Sequence, residues 1–299
     1  MLVIHNPTAG RRRTSRLRRV LDVLAAQGLS PQLVETRYPG HARILASEAA
    51  SRGSGPVVAA GGDGTIAEVA AGLVGLDVAL GIIPLGTANV LAHELGLPAA
   101  PTDLAAILAS GRTMPLWPGL ASGRSGSRLF LQMLGVGFDA HVVHAVRPPL
   151  KRALGRGAYV VQTVRELRRY GFAPIRLRID GHEASAASVI IAKGRFYGGP
   201  YLLAPDARTD APGFSVMLFE RAGIAAALLA GAALPLNLMG RVPGLVHRRA
   251  RDIVLLNEAG LPAQADGDPA GVTPLHVTDA HSPLRVIVGD AALRRGAPG

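Results

Sequence analysis

Short apolar runs and amphipathic stretches alternate along the first hundred residues. Apolar residues 2–5 stop at Asn6-Pro7-Thr8-Ala9-Gly10, which predicts a strand ending in a turn. Leu17, Val20, Leu21 and Leu24 follow at helical spacing, with Arg16, Arg18 and Arg19 on the other faces. The same pattern predicts strands over 32–37, 56–60 and 78–84, a helix over 41–51, and helices running to Leu73 and Leu95. This rhythm predicts an α/β domain whose mainly parallel sheet is covered by helices, with ligands at the carboxyl ends of its strands.

Beyond residue 112 the rhythm changes. Runs at 129–135, 175–179, 188–192, 214–219, 253–256 and 275–277 are short and punctuated by Gly, Pro and Asp. They predict antiparallel strands in a sandwich-like or barrel-like second domain. A hairpin loop is expected over 122–128 and a helical insert over 156–170. The expected domains are therefore 1–112 and 113–285. The most apolar stretch, 224–239, contains Pro235 and Asn237 and falls short of the roughly 20 apolar residues that span a bilayer.

Composition narrows the classes. The 299 residues are 48% hydrophobic, and 32 Lys+Arg against 21 Asp+Glu leave a net charge of +11. Only Lys151 and Lys193 are lysines, so the charge is almost all guanidinium, a planar fork suited to phosphate. The apolar share excludes a disordered basic tail. Aromatics at 4% are too few for base-stacking platforms, and no helix-turn-helix or zinc pattern occurs, so nucleic acid is not an expected partner. The absence of cysteine removes disulfides, thiolate metal sites and cysteine nucleophiles. The apolar start is too short for a signal peptide. The expected location is cytoplasmic, peripheral at the inner membrane surface.

Three predicted strand ends carry Gly/Thr/Asn turns: Asn6–Gly10, Gly61-Gly62-Asp63-Gly64-Thr65 and Gly86-Thr87-Ala88-Asn89. Glycine lets the backbone approach an anion closely, and each helix that follows adds the partial positive charge of its amino terminus. One such turn is an ordinary strand–helix connection. Three in one layer, with Arg11, Arg12 and Arg13 beside the first, describe a polyphosphate pocket. Asp63 is out of place there unless it orients the loop, caps a helix, or lies near a metal or a ribose.

These turns resemble, in order, the signature of the diacylglycerol kinase catalytic-domain family of lipid kinases. The resemblance continues through Gly135-Val136-Gly137-Phe138-Asp139-Ala140, Tyr197-Gly198-Gly199 and Pro205-Asp206-Ala207 to Asp266-Gly267-Asp268. It implies a nucleotide-binding α/β domain, a β-sandwich-like second domain, and a carboxyl terminus (residues 286–299) that returns to the first. It also implies ATP held by Asn6, Pro7, Thr8, Ala9, Gly10, Thr36, Gly61, Gly62, Asp63, Gly64, Thr65, Gly86, Thr87 and Asn89, with Mg2+ as cofactor. The substrate it implies is a lipid alcohol, diacylglycerol-like or sphingoid-like.

Phosphoryl transfer to an alcohol needs a base at the hydroxyl. The family's base, usually Glu, falls on Asp268 here, one methylene shorter, with Asp266 as the alternative carboxylate. On residue type alone, Asp-Gly favours a hairpin turn. The family's paired aspartates, associated with magnesium, are reduced to Asp210 followed by Ala211-Pro212. Val90 likewise stands where many relatives carry Asp. His141 and His144, three apart, and Met133 and Met239 are expected in packing or surface roles.

Two arginine-rich clusters flank apolar segments: Arg147, Lys151, Arg152, Arg156, Arg165, Arg168 and Arg169, then Arg241, Arg248, Arg249 and Arg251. They predict docking on an anionic membrane surface. A homo-oligomer is left open. Two other readings remain: an NAD kinase-like activity, since NAD kinase shares Gly-Gly-Asp-Gly-Thr, and a catalytically weakened regulatory member that binds nucleotide or lipid.

Overall fold

The computed structural model describes residues 1–9, 14–145, 162–163, 165–258 and 260–296. Gly10, Arg11 to Arg13, the basic residues 147–156 and, of the expected insert over 156–170, residues 156–161 and 164 lie outside them. The described chain forms two units: Met1–Trp117 with His281–Gly299, and Pro118–Ala280.

In the first unit, β1 (Leu2–His5), β2 (Gln32–Glu35), β3 (Val57–Gly61), β4 (Ala79–Pro84), β5 (Thr113–Leu116) and β20 (Leu284–Ile287) build one sheet in the order β2-β1-β3-β4-β20-β5. All neighbours run parallel except β20 and β5. Helix α1 (Thr14–Ala26) sets Leu17, Val20 and Leu24 against Val3, Val58 and Ile83, and α5 (Pro101–Ser110) adds Leu104 and Leu108 to the same core. Pro101 starts α5 without costing a hydrogen bond, and Gly111 ends it at φ 62°. Helices α2 (His41–Ser51) and α3 (Asp63–Leu73) cross closely. A Cβ on Gly72 would stand 2.4 Å from the Arg43 carbonyl oxygen, so only glycine fits at that crossing.

The second unit holds two six-stranded sheets. One orders β10 (His182–Ala186), β9 (Ile175–Ile179), β16 (Ile253–Leu255), β19 (Leu275–Asp279), β6 (Gly119–Gly123) and β7 (Gly126–Phe130). The other orders β15 (Leu245–Ala250), β14 (Phe214–Phe219), β11 (Ser188–Ala192), β8 (Met133–Val136), β17 (Pro262–Ala265) and β18 (Asp268–Val272). Their pairings are antiparallel, and inward residues of both sheets, among them Phe130, Leu134, Leu177, Val216 and Val277, share one core. That is a β-sandwich. β9 alternates Ile175, Leu177 and Ile179 inward with Arg176 and Arg178 outward.

The second sheet is covered on its outer face too. Met133, Ile190 and Met217 there meet Leu203, Ala204, Ala233 and Met239. This double burial explains why β11 and β14 are apolar on both faces apart from Ser188 and Ser215. The loop over 122–128 is a hairpin with Arg124 and Ser125 at its tip. The single strand expected over 129–135 is instead β7 and β8, broken at Leu131 and Gln132. Among the described residues no helix is long and apolar enough to cross a membrane.

Candidate functional site

Because β1, β2, β3 and β4 are parallel, their carboxyl ends, and the turns that follow, share one edge of the sheet. Specific bonds bring those turns together. Asn6 Nδ2 donates to Thr65 Oγ1 at 3.1 Å, while Asn6 Oδ1 accepts from the Thr8 amide at 3.0 Å and the Thr8 hydroxyl at 2.8 Å. The Ala9 amide closes the turn onto the Asn6 carbonyl, across Pro7. Leu85 and Gly86 both donate amides to the Gly61 carbonyl. A Cβ on Gly86 would lie 2.5 Å from Gly62 Cα, and one on Gly61 would lie 2.6 Å from the Thr65 side chain. These glycines are therefore the condition for the two turns to touch.

Asn89 takes the left-handed conformation at φ 49°, donates Nδ2 to the Gly86 carbonyl at 2.8 Å, and leaves its buried Oδ1 without a partner. Thr87 is exposed at this edge, and Thr36, half-buried, donates its amide to the His5 carbonyl. Gly62 caps α3, and Asp63 and Gly64 form its first turn.

Asp63 does not cap its own helix. Its carboxylate faces the start of α4 (Val90–Glu94), accepting from the Leu91 amide at 3.4 Å. Burial pushes its carboxyl above the ordinary range, against the pull of the Leu91, Val90 and Asn89 amides. Asp63 thus ties the second turn to the third. Glu68 repeats the device one turn further along α3, accepting from the Gly40 and Ala42 amides at the start of α2.

In the second unit, Asp266-Gly267 is the two-residue loop joining β17 and β18, with φ 51° and 85° and Ala265 paired to Asp268. Both central residues have positive φ, the requirement of a type I′ hairpin. The Asp266 carboxylate accepts three amides, from Leu131, Gln132 and Met133, at 2.7, 2.9 and 3.0 Å. It pins the break between β7 and β8. The Gly267 amide donates to Gln264 Oε1, and Gln264 Nε2 donates to Asp139 Oδ2, each at 2.8 Å. The Tyr197 hydroxyl donates to Asp139 Oδ1. Three sequence motifs thus join through one chain of bonds from Tyr197 to the hairpin that carries Asp268. Burial raises the Asp139 carboxyl, opposed by Tyr197 and Gln264. Gln132 is buried beside Gly194 with neither atom of its carboxamide partnered.

Asp210 behaves unlike a metal ligand. Arg208 grips both of its oxygens, at 3.0 and 2.8 Å, and holds its carboxyl below the ordinary range. The space beside it belongs to Lys193, which is fully buried. Its Nζ donates to the carbonyls of Ala211 (3.0 Å) and Gly213 (2.9 Å) and to Asp279 Oδ1 (2.7 Å). Among the described residues no cluster of three His, Cys, Asp or Glu could hold an ion. The residues therefore do not fit the accessory magnesium expected at Asp210, because fixed cations already neutralise the loop. Lys193 and Asp279 escaped the sequence reading. A lysine ending the apolar strand 188–192 was the available signal.

His141 meets Glu166 at 2.9 Å and His144 the Ala263 carbonyl at 2.9 Å, both structural contacts, and Met133 and Met239 are buried.

Comparison with known proteins adds an independent line. Residues 1–119 match the model of the diacylglycerol kinase catalytic domain, and residues 132–288 that of the YegS C-terminal NAD kinase beta sandwich-like domain. A diacylglycerol kinase of Bacillus subtilis (strain 168) is 31% identical over 229 residues, covering 75% of this chain and 74% of its own. A Pseudomonas aeruginosa PAO1 protein named "Probable lipid kinase YegS-like" is 30% identical over 297 residues, covering 96% and 93%. A crystal structure of a diacylglycerol kinase from Bacillus anthracis str. Sterne superposes with a TM-score of 0.71 at 21% identity over 97% of each chain. A second structure from that organism reaches 0.80 at 24%, covering 97% and 95%. These two likenesses are of fold.

Proposed function

Because the chain belongs to the family of diacylglycerol kinases and YegS-like lipid kinases, we propose that it transfers the γ-phosphoryl group of ATP to the hydroxyl of a lipid alcohol, diacylglycerol-like or sphingoid-like. The observation that carries this reading is the contact of three Gly/Thr/Asn turns at one edge of the parallel sheet.

In the proposal, Asn6, Thr8, Thr36, Gly61 to Thr65, Gly86, Thr87 and Asn89 surround the nucleotide. Backbone amides and hydroxyls there offer donors to phosphate oxygens, and the amino terminus of α3 adds its field. Magnesium enters with ATP as part of the substrate. Asp268 accepts the proton of the lipid hydroxyl as that oxygen bonds to the γ-phosphorus, and the bond from γ-phosphorus to the bridging oxygen breaks to release ADP. Asp266 is assigned the positioning role. Its oxygens are occupied by three amides, so it holds the hairpin that presents Asp268. The exposed arginines at 165, 168, 169, 241, 248, 249 and 251 support peripheral docking on an anionic membrane surface.

The test offers purified protein, γ-labelled ATP and magnesium to a panel of lipid alcohols in mixed micelles, with NAD beside them. Label in a lipid, abolished by Asp268→Ala with ATP binding intact, is the expected result. Label in NAD would replace this reading with an NAD kinase, and nucleotide binding without transfer would replace it with a regulatory protein.

A further inference from the structure

Helix α6 (Ile224–Ala233) is built of Ile, Ala, Leu and Gly alone. A helix apolar on every side belongs in an apolar interior. This one lies on the surface. Only its end is anchored, where Ala233, Leu234 and Met239 pack on the outer face of the second sheet. Ile224, Leu228, Leu229, Leu236 and Leu238 are all exposed, Leu228 by 53% and Leu236 by 65%. Of the ten exposed large hydrophobics among the described residues, these five fall within fifteen positions. Scattered leucines on a surface need no explanation, but five exposed on one short helix and the turn after it mark a contact with something apolar.

Charge identifies the occupant. Residues 221–251 contain Arg221, Arg241, Arg248, Arg249 and Arg251 and no Asp or Glu. All five arginines are exposed. Strand register puts Arg249 opposite Ser215 and His247 opposite Met217, so Arg249 rises from the same face on which the helix packs. Asp206, which approaches this strand, is engaged by His247 at 3.4 Å. A second copy of this surface would oppose arginine to arginine. An anionic bilayer satisfies both features at once, taking the leucines at the acyl boundary and the guanidiniums at the phosphates.

We infer that residues 224–238 form an interfacial anchor that lies in an anionic bilayer surface, with Arg221, Arg241 and Arg249 seated over the headgroups. This names the docking element of the lipid-kinase reading and rests on it only for the purpose that docking serves.

The experiment sediments the full chain with vesicles of phosphatidylcholine alone or with 30% phosphatidylglycerol, alongside the double variant Leu228→Asp, Leu236→Asp and the double variant Arg241→Ala, Arg249→Ala. Both pairs are exposed, so unchanged melting temperatures are expected and are checked first. Wild type should bind the anionic vesicles at least tenfold better than the neutral ones. The leucine variant should lose at least tenfold on anionic vesicles while phosphorylating a water-dispersed short-chain diacylglycerol at the wild-type rate. The arginine variant should lose the preference for phosphatidylglycerol. Wild-type binding by both variants would overturn the inference. So would a wild-type dimer made monomeric by the leucine substitutions with vesicle binding unchanged, which would assign the patch to a second copy. A wild type that binds vesicles but labels no lipid would overturn the kinase reading and leave the anchor standing.

Discussion

Replacing Lys193 by methionine tests whether a fixed ammonium has taken over the work of an accessory ion. Methionine matches the length and apolar stem of lysine, so the cavity term is small. What disappears is the charge and three donated bonds, to Ala211, Gly213 and Asp279. The two carbonyls lose their buried partner. Asp279, with its side chain 16% exposed, keeps only the Gly213 amide at its other oxygen. Each orphaned group costs about 1–3 kcal/mol, and removing one partner of a buried ion pair costs about 3–5 kcal/mol in total. These figures describe the same loss and do not add. At about 2–4 °C per kcal/mol for a unit of this size, the melting temperature should fall by roughly 10 °C. Calorimetry of the full chain at neutral pH reads it directly. Lys193→Met combined with Asp279→Leu should recover part of the loss, because no uncompensated carboxylate then remains. Without nucleotide, chelator and millimolar magnesium should leave the wild-type transition unmoved. A drop under 2 °C for Lys193→Met, or a saturable rise with magnesium, would refute the reasoning.

Three further outcomes follow from the geometry. Gly86→Ala places a Cβ 2.5 Å from Gly62 Cα. It should weaken ATP binding at least tenfold by calorimetric titration, with a smaller fall in stability. Asp266→Ala strips the acceptor from three amides. It should cost about 2–4 kcal/mol in denaturant unfolding, and it should lower turnover together with stability, whereas Asp268→Ala should act on turnover far more than on stability. Arg208 holds Asp210 below its ordinary 3.8, so Asp210 is the more strongly deprotonated in the folded state. Its stabilising contribution is complete above that value and lost as pH falls through the lower folded one. Asp210→Asn should flatten the acid limb of the stability curve below about pH 4.

Strands β1 to β4 of the first sheet were legible because each ends in turn residues, and α1 carries a clear apolar stripe in Leu17, Val20 and Leu24. The other two strands of that sheet were not read: β5 is Thr-Met-Pro-Leu, with a proline in a short run assigned to the second domain, and β20 joins β4 and β5 only by tertiary pairing from the far end of the chain. The second unit hid more. β15 reads Leu-Val-His-Arg-Arg-Ala, and its exposed edge supplies no alternation to detect. β17 and β18 contain Pro262, Pro269 and Gly271, residues that signal turns. The break between β7 and β8 is set by Asp266, more than 130 positions away, and Lys193 finds Asp279 across 86. Motif order exposed the members of the candidate site one by one. The bonds joining them, such as Asp63 reaching α4 or Gln264 bridging Asp139 and Gly267, depend on tertiary contact and leave no local signature.

Strand β20 sets the order in which the chain can be finished. It lies between β4 and β5, so a ribosome that has released residues 1–117 has delivered a sheet with an unfilled slot. Until Leu284–Ile287 emerges, β4 exposes a bare edge flanked by Leu80 and Ile82, and β5 has no neighbour. The sandwich, by contrast, is one uninterrupted segment, able to close during synthesis. Cotranslational folding should therefore proceed inward-out, the inserted unit maturing before the one that encloses it. Losing residues from 281 onward would harm the sheet at the opposite end of the sequence, and nascent chains stalled before residue 284 should remain open to proteolysis at β4 and β5.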